Sequence, residues 1–291
     1  MLRHRAPSVI EARLIKAYHR IEKGLALPVP RPGFGRDAVA EVLTCVDEFT
    51  HRFGPNHTTR RALNTLDEYV SFNQRVDADV RWMVPKLREL MALQQNATEG
   101  QGGTLKVDRE SIYAAARIDL ESFFAMRYSV RQFAPDPIDQ QLIERAVCMA
   151  KKTPSVCNRE SGSVFVASDI ARKQALLALQ NGNSGFGESA DRILVITSRL
   201  DTFLSVGERN QCWIDGGLFA MSLIYALHSL GLGSCCLNWS VEPGQDRALK
   251  AVAGIPEDHA VIMLLAVGHL PEQLRVAQSP RRPLSDVLHY I

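Results

Sequence analysis

The chain has 291 residues, of which 46% are hydrophobic and 23% are charged, a composition typical of a globular protein with one or two domains. Its 34 basic and 32 acidic residues leave a net charge of +2, so no overall positive charge indicates nucleic acid as a partner. The first 20 residues carry positive charge without an apolar run, so a secretory signal is not expected. The apolar run from Cys212 to Leu230 contains Asp215 and two adjacent glycines, which favours a buried helix over a membrane span.

Residues 1–95 form the first predicted region, and their pattern is helical almost throughout. Ser8 followed by Glu11 is typical of a capping box, and Gly24 is predicted to stop the helix that begins there. The next segment, residues 25–35, is rich in proline and glycine and is predicted to be a loop.

A second helix is predicted to begin at Asp37, with an apolar stripe along one face. Two further helices are predicted from Thr58 to Asn73 and from Asp77 to Gln95, the last one kinked or split at Pro85. The polar, glycine-rich stretch that follows indicates a linker, so residues 96–115 are assigned to a linker and a connecting helix.

Residues 116–291 alternate helical patterns with short β-rich runs, which predicts an α+β fold with a sheet flanked by helices. Asp139 and Asp169 are predicted to cap two helices, and a long helix is expected over residues 208–230. Strands are predicted at residues 163–168, 192–198, 234–240 and 260–270. The last strand is apolar on both faces and is therefore expected in the centre of the sheet.

Two arginine clusters are the residues that indicate chemistry. Arg127, Ser129 and Arg131 alternate, so in an extended segment they share one face and form a cradle for a phosphate or a flavin ring edge. Arg281 and Arg282 lie between two prolines, which stiffen the backbone for a phosphate contact. The alternative for the cluster at 127–131 is a solvated loop, and the alternative for the pair at 281–282 is an exposed tail. The motifs of serine hydrolases, zinc proteases and P-loop proteins are absent, and neither the six cysteines nor the eight histidines are spaced as metal ligands.

Five short motifs follow one another in the second half of the chain. They are R-x-S-x-R-x-F at 127–133, P-S-x-x-N at 154–158, a Gly/Asn-rich stretch before a strand at 182–197, G-L-x-S-C at 231–235, and V-G at 267–268 followed by the basic pair at 281–282. In this order and spacing, residues 116–291 resemble the nitroreductase superfamily of FMN-dependent NAD(P)H oxidoreductases. The resemblance implies a central mixed sheet flanked by helices, preceded here by an all-helical region.

The resemblance also implies which residues bind FMN. Those that would hold the phosphate or the polar ring edge are Arg127, Tyr128, Ser129, Arg131, Arg281 and Arg282. Those that would reach the FMN of the other subunit are Pro154, Ser155, Val156 and Asn158. Those expected beside the ring are Asn183, Cys236, Leu237 and Asn238, and the backbone N–H of Asn238 is the candidate donor to flavin N5.

The implied activity is hydride transfer from NADH or NADPH through flavin N5 to a small organic acceptor, with ping-pong kinetics. The implied assembly is a homodimer with FMN at the subunit interface, joined by the helix at 208–230, and the unpaired cysteines fit the cytoplasm. No membrane span is expected.

Two departures from the family pattern leave the substrate open, namely Glu160 in place of the usual glutamine and Cys-Leu-Asn-Trp at 236–239. The alternatives are a specialised flavin-dependent dehydrogenase or oxidase of a biosynthetic pathway and a non-catalytic flavin-binding interaction protein. Redox chemistry of the Cys235–Cys236 pair is a further hypothesis.

Overall fold

The computed structural model describes residues 6–94 and 101–291, and over these the chain forms ten α-helices and one four-stranded sheet. The chain divides into two compact units. The first contains Met1–Ile118, Pro154–Ser161 and Arg199–Asp215, and the second contains Asp119–Thr153, Gly162–Ser198 and Gly216–Ile291. The predicted α+β class, with helices before the sheet, is confirmed. Residues 96–100 of the predicted linker lie outside the described residues.

The first unit contains the helices α1 (Pro7–Leu25), α2 (Arg36–Phe53), α3 (His57–Arg75), α4 (Val84–Ala92) and α5 (Arg109–Ala116). The first four of these helices bury their apolar faces against one another. The stripe predicted on the second helix is confirmed, because all of its members are buried in the core shared by α1 to α4: Val39, Val42, Leu43, Val46 and Phe49. Helix α5 has no buried residue.

The predicted capping box at the first helix is wrong. Helix α1 begins one residue before Ser8, at a proline, and its amino terminus has no side-chain cap. The carboxylate of Glu11 instead accepts hydrogen bonds from Asn56 Nδ2 at 2.9 Å and Thr58 Oγ1 at 2.8 Å. The capping box lies at α3, where Asn56 Oδ1 accepts from the N–H of Thr59 and the N–H of Asn56 donates to Thr59 Oγ1.

The predicted stop at Gly24 is also wrong, because α1 continues through that residue to Leu25. A Cβ atom at Gly24 would lie 2.0 Å from the ring of Phe34. The glycine therefore makes room for an aromatic side chain of the following loop. Tyr69 Oη donates to the carbonyl of Phe34 at 2.7 Å and holds that loop on α3.

The start of α2 and the length of α4 differ from the predictions as well. Gly35, in the left-handed region at φ 63°, precedes α2, and Asp37 pairs with Arg20 at 2.9 Å instead of capping the helix. The fourth helix covers Val84–Ala92 only, with Pro85 in its first turn. Proline fits the first turn of a helix because its missing N–H would have no helical partner there.

The second unit contains the sheet and the helices around it. In chain order it has α6 (Leu120–Ala125), α7 (Gln140–Ala150), β1 (Gly162–Ala167), α8 (Ile170–Ala178), β2 (Arg192–Arg199), most of α9 (Gln211–Ser229), β3 (Leu232–Asn238), α10 (Pro243–Ala253) and β4 (His259–His269). Asp139 and Asp169 cap α7 and α8 as predicted, by accepting from the N–H groups of Gln141 and Arg172.

The strand order is β1-β2-β4-β3, so β4 is an inner strand as expected. β1 pairs antiparallel with β2, and β3 pairs antiparallel with β4. An isolated parallel bridge joins Ser129, outside the four strands, to Ser234 of β3.

The sheet buries apolar side chains on both faces. One cluster joins Leu194 and Leu265 to Leu223 of α9, and the other joins Val195 and Leu264 to residues of α8 and α10. Among the described residues, no helix, α9 included, is long and apolar enough to cross a membrane.

Candidate functional site

Residues 127–133 form an extended segment that lies beside β3 and is joined to it by an isolated bridge. The N–H of Val130 donates to the carbonyl of Ser234 at 2.9 Å, and the N–H of Ala134 donates to the carbonyl of His269 at 2.9 Å. Val130 is 5% exposed and points into the protein. Because neighbouring side chains alternate in an extended segment, Ser129 and Arg131 point to the other side.

A pair of glycines lets this segment lie close to the sheet. Gly233 of β3 and Gly268 of β4 are directly opposite each other. A Cβ atom at Gly268 would lie 2.6 Å from the Phe133 ring, and one at Gly233 would lie 2.8 Å from Leu270 and 3.1 Å from Val130. The motif glycines therefore leave space for the segment, a role that the sequence analysis did not assign. Glycine inside a strand is the signal for such a close approach.

A cleft of about 780 Å³ opens beside the segment. Its lining brings Arg127, Ser129 and Arg131 together with Ser279 and Arg281, which lie about 150 residues later in the chain. Tyr128 also lines the cleft, whereas Arg282 does not. None of the lining residues is acidic, so three guanidinium groups give the cleft a positive potential. Such a cleft is suited to a phosphate.

The end of β3 presents alternate residues to opposite sides. Cys236 and Asn238 are exposed, whereas the side chain of Leu237 is buried in the core and leaves only its backbone available. Although Cys236 is exposed, the surrounding protein partly desolvates its thiol, and this desolvation and the neighbouring Cys235 raise the pKa of the thiol despite the opposing charge of Arg127. Desolvation likewise raises the pKa of the Cys235 thiol. Both thiols are therefore disfavoured as thiolates, which weakens the hypothesis of vicinal thiol chemistry.

A loop after α8 contacts the end of β3 through Gln180. The Nε2 of Gln180 donates to the carbonyl of Asn238 at 3.0 Å, a contact that the sequence analysis missed. Asn183 uses its amide nitrogen within the loop, where it donates to the carbonyls of Leu177 at 2.8 Å and Gln180 at 2.7 Å. The guanidinium of Arg131 lies 5.8 Å from the ring centroid of Phe186 in the same loop.

The loop that contains Pro154, Ser155, Val156 and Asn158 belongs to the first unit, whereas the cleft lies in the second. Its backbone runs on to residue 160, and three non-glycine residues of the stretch 154–160 are left-handed, namely Cys157 at φ 51°, Asn158 at φ 55° and Glu160 at φ 47°. This conformation costs an L-residue roughly 1–2 kcal/mol. The loop is therefore held in shape by its surroundings.

Arg159 is the main anchor of this loop. Its side chain is fully buried and pairs with Glu208 at 2.7 Å. Burial alone would raise the pKa of Glu208, but hydrogen bonds from Arg159 and from the N–H of Leu204, with the charges of Arg159 and Lys16, lower it below its usual value. Neither member of this ion pair was singled out by the sequence analysis.

Comparison with known proteins identifies the family. The nitroreductase family matches residues 124–184 and 167–269, which together span half of the chain. A protein from Thermus thermophilus named NADH dehydrogenase is 25% identical over 203 residues, which are 59% of this chain and 95% of the relative.

Solved structures share the fold. A nitroreductase family protein from Streptococcus pneumoniae has a TM-score of 0.53 at 18% identity, over 60% of this chain and 100% of its own. A Desulfovibrio desulfuricans protein assigned to the nitroreductases, in complex with FMN, has a TM-score of 0.52 at 19% identity, over 60% of this chain and 98% of its own. With its family match from residue 124 to residue 269, the chain belongs to the nitroreductase family.

Proposed function

We propose that this protein is an FMN-dependent oxidoreductase that transfers hydride from NADH or NADPH to a small organic acceptor. The observation that carries the proposal is the convergence of Arg127, Arg131 and Arg281 on one cleft. Family membership supports the reaction class, and the names of the relatives support a nicotinamide donor and a flavin.

The cleft fits the phosphate of FMN. A phosphate monoester carries a charge of about −1.5 to −2 at neutral pH and has three acceptor oxygens. Guanidinium groups match these oxygens with paired N–H donors, and the hydroxyls of Ser129 and Ser279 lie in the same lining. The cleft volume of about 780 Å³ is within the roughly 300–1,000 Å³ of small-molecule sites. Arg282 would have to move to take part.

The exposed side of β3 is the proposed place of the flavin ring. Cys236, Leu237 and Asn238 would line it, and the backbone N–H of Asn238 would donate to N5. The hydrogen bond from Gln180 to the carbonyl of Asn238 supports this role because it fixes the neighbouring peptide group. We assign Asn183 to the pyrimidine edge. Bound FMN would supply the redox chemistry, so the protein needs no acid–base pair of its own.

A homodimer is part of the proposal. Helix α9 buries Phe219, Leu223 and Leu227 in its own core, but Trp213, Ile214 and Leu218 are 55%, 53% and 47% exposed. These three residues and Gly217, where an added Cβ would meet no atom within 4 Å, share one helical face. An apolar helical face of this kind suits close approach by a second copy of the chain. We further propose that the loop at 154–158 reaches the FMN of the other subunit.

We place the protein in the cytoplasm. All six cysteines are unpaired in the structure, which supports a reducing compartment.

Anaerobic reduction tests the activity. Protein saturated with FMN is mixed with NADH or NADPH, and the visible absorbance of the flavin is followed before and after a quinone or nitroaromatic acceptor is added. We expect at least one nicotinamide to bleach the flavin and the acceptor to restore it. Bound flavin that neither nicotinamide reduces would favour a non-catalytic binding protein, and protein that takes up no FMN would refute the proposal. If sedimentation shows that the flavin-loaded protein is a monomer, the proposal that two subunits share the FMN site is refuted.

A further inference from the structure

The loop at 154–160 has a backbone that its own sequence does not favour. Cys157, Asn158 and Glu160 occupy the left-handed region, which glycine adopts far more readily. Such conformations persist only where neighbouring structure enforces them, and they concentrate at functional sites. The groups that hold the backbone of this loop in the left-handed region therefore determine its position.

Arg159 holds the loop from within. Its Nε donates to the carbonyl of Val156 at 3.2 Å, and its Nη1 donates to the carbonyl of Thr202 at 2.7 Å. Two further hydrogen bonds, at 3.1 Å and 2.7 Å, join the guanidinium to the carboxylate of Glu208. The buried charge is thus paired, and four donated hydrogen bonds fix the position of the loop.

Two more contacts fix the ends of the loop. The N–H of Val156 donates at 3.1 Å to Asp215, which is 4% exposed and also accepts from Gln211. The N–H of Glu160 donates to Ser155 Oγ at 3.0 Å. Every one of these contacts comes from the loop itself or from residues 199–215, which belong to the same unit.

Helix α1 packs against this assembly. It contacts the turn at Val156–Asn158 and the turn at Leu200–Thr202. Lys16 of α1 lies close enough to Glu208 to lower the pKa of its carboxyl group, after desolvation and the bonds from Arg159 and Leu204. Ala12, one turn before Lys16 and on the same face, is 2% exposed but is not part of the apolar core of α1 to α4. We therefore assign Ala12 and Lys16 to the face of α1 that contacts these turns.

We propose that the N-terminal helices are a positioning element for the loop at 154–160, with α1 packed on the loop and Arg159 as the positioning residue. This inference rests on the proposed function, in which the loop contacts FMN. The family match begins at residue 124, and relatives that match over nearly their whole length cover about 60% of this chain, so the helices are an addition to the shared fold. Cofactor affinity thus depends on residues that do not touch the cofactor.

Three full-length variants test the inference. Ala12→Leu places extra volume between α1 and the loop assembly, and Arg159→Lys keeps the charge but loses the paired guanidinium bonds. Ala62→Leu is the matched control, because Ala62 of α3 is 0% exposed within the helical core. The measurements are the FMN dissociation constant by fluorescence titration, amide hydrogen exchange over residues 155–160, melting temperature, and visible circular dichroism of the bound flavin at saturation.

We expect both test variants to bind FMN about tenfold more weakly. The apparent dissociation constant is inversely proportional to the fraction of protein whose loop has the conformation that binds FMN, and both variants lower that fraction. Their loop amides should exchange faster and the dichroism of the bound flavin should change. Ala62→Leu should lower the melting temperature and leave the dissociation constant within about twofold.

Wild-type affinity in both test variants would overturn the inference and leave the proposed function intact. If the wild-type protein binds no FMN, the proposed function is refuted instead. The amide hydrogen exchange of residues 155–160 then tests the inference, which is overturned if the exchange rates in both test variants equal those of the wild type. If Ala12→Leu does not fold, Lys16→Met takes its place, because it changes α1 without adding buried volume and removes the charge that acts on Glu208.

Discussion

Replacing Gly268 by alanine is expected to weaken FMN binding by displacing the segment that carries Arg131. The new Cβ would lie 2.6 Å from Cδ1 and 2.8 Å from Cβ of Phe133. Carbon atoms normally pack at about 3.5–4.0 Å, so relief requires a shift of roughly 1 Å. Rotation of the Phe133 ring cannot supply it, because the Cβ of that residue is also too close. The hydrogen bond from Ala134 to His269 at 2.9 Å holds the next residue in place.

Overpacking of this kind costs about 1–3 kcal/mol. A misplacement of about 1 Å at a binding group also weakens its contacts, so we expect FMN affinity to fall about tenfold or more, or roughly 1.4 kcal/mol. The assay is a fluorescence titration of cofactor-free protein with FMN, alongside a thermal melt. Gly244→Ala is the control, because an added Cβ there meets no atom within 4 Å. The reasoning would be refuted if Gly268→Ala bound FMN as tightly as Gly244→Ala and melted at the same temperature.

Four other substitutions separate the cofactor site from the stability of the fold. Arg281→Ala should weaken FMN binding about tenfold and should change riboflavin affinity by no more than about twofold, because only FMN has a phosphate that the guanidinium of Arg281 can bind. Equal losses of affinity for FMN and riboflavin in parallel titrations would contradict the assignment of Arg281 to the phosphate. Glu208→Gln should cost about 3–5 kcal/mol at pH 7, because Arg159 stays buried without its anion. The pKa of Glu208 is lower in the folded state than its ordinary value of 4.5, so the stability that the ionised carboxylate contributes is complete above pH 4.5 and is lost as the pH falls below it. Urea melts at pH 7 and pH 4 should therefore show that the difference in unfolding free energy between wild type and Glu208→Gln shrinks at the lower pH. A difference that stays constant would contradict this linkage. Asn56→Ala should lower the free energy of unfolding by about 1 kcal/mol and Ser8→Ala should leave it unchanged, because Asn56 caps α3 whereas Ser8 caps no helix. Equal losses in thermal melts would refute this.

Local patterns predicted the parts of the fold that local forces determine. Asp139 and Asp169 cap helices through N–H groups two or three residues away, and the apolar run of β4 requires cover on both faces of the sheet. These features depend on residues within one turn or on one strand. Each could therefore be predicted without knowledge of the rest of the chain.

Helix ends in the first unit depend on distant residues and were mispredicted. Glu11 follows Ser8 at capping-box spacing, but it bonds to Asn56, 45 residues later. Gly24 looked like a helix stop, whereas its missing side chain accommodates Phe34 from the next loop. Sequence spacing describes neighbours along the helix and carries no information on which loop packs against it.

The proposed cofactor site likewise has a part that could be predicted from local sequence and a part that depends on distant residues. The alternation of Arg127, Ser129 and Arg131 is local and indicated a cradle, and the fold brings Arg281 to the same cleft. The grouping of the loop at 154–158 with the N-terminal helices could not be predicted, because it depends on the packing of α1 against distant turns and on the buried pair of Arg159 and Glu208, 49 residues apart. The positions of such pairs follow only from the complete fold.

Calorimetric titration of cofactor-free wild-type protein with FMN and with riboflavin tests the central claim most directly. A cleft built around three arginines should bind about one FMN per chain and should bind riboflavin at least tenfold more weakly, since each tenfold step equals about 1.4 kcal/mol. Equal affinity for the two flavins, or no binding of either, would contradict the assignment of Arg127, Arg131 and Arg281 to the phosphate.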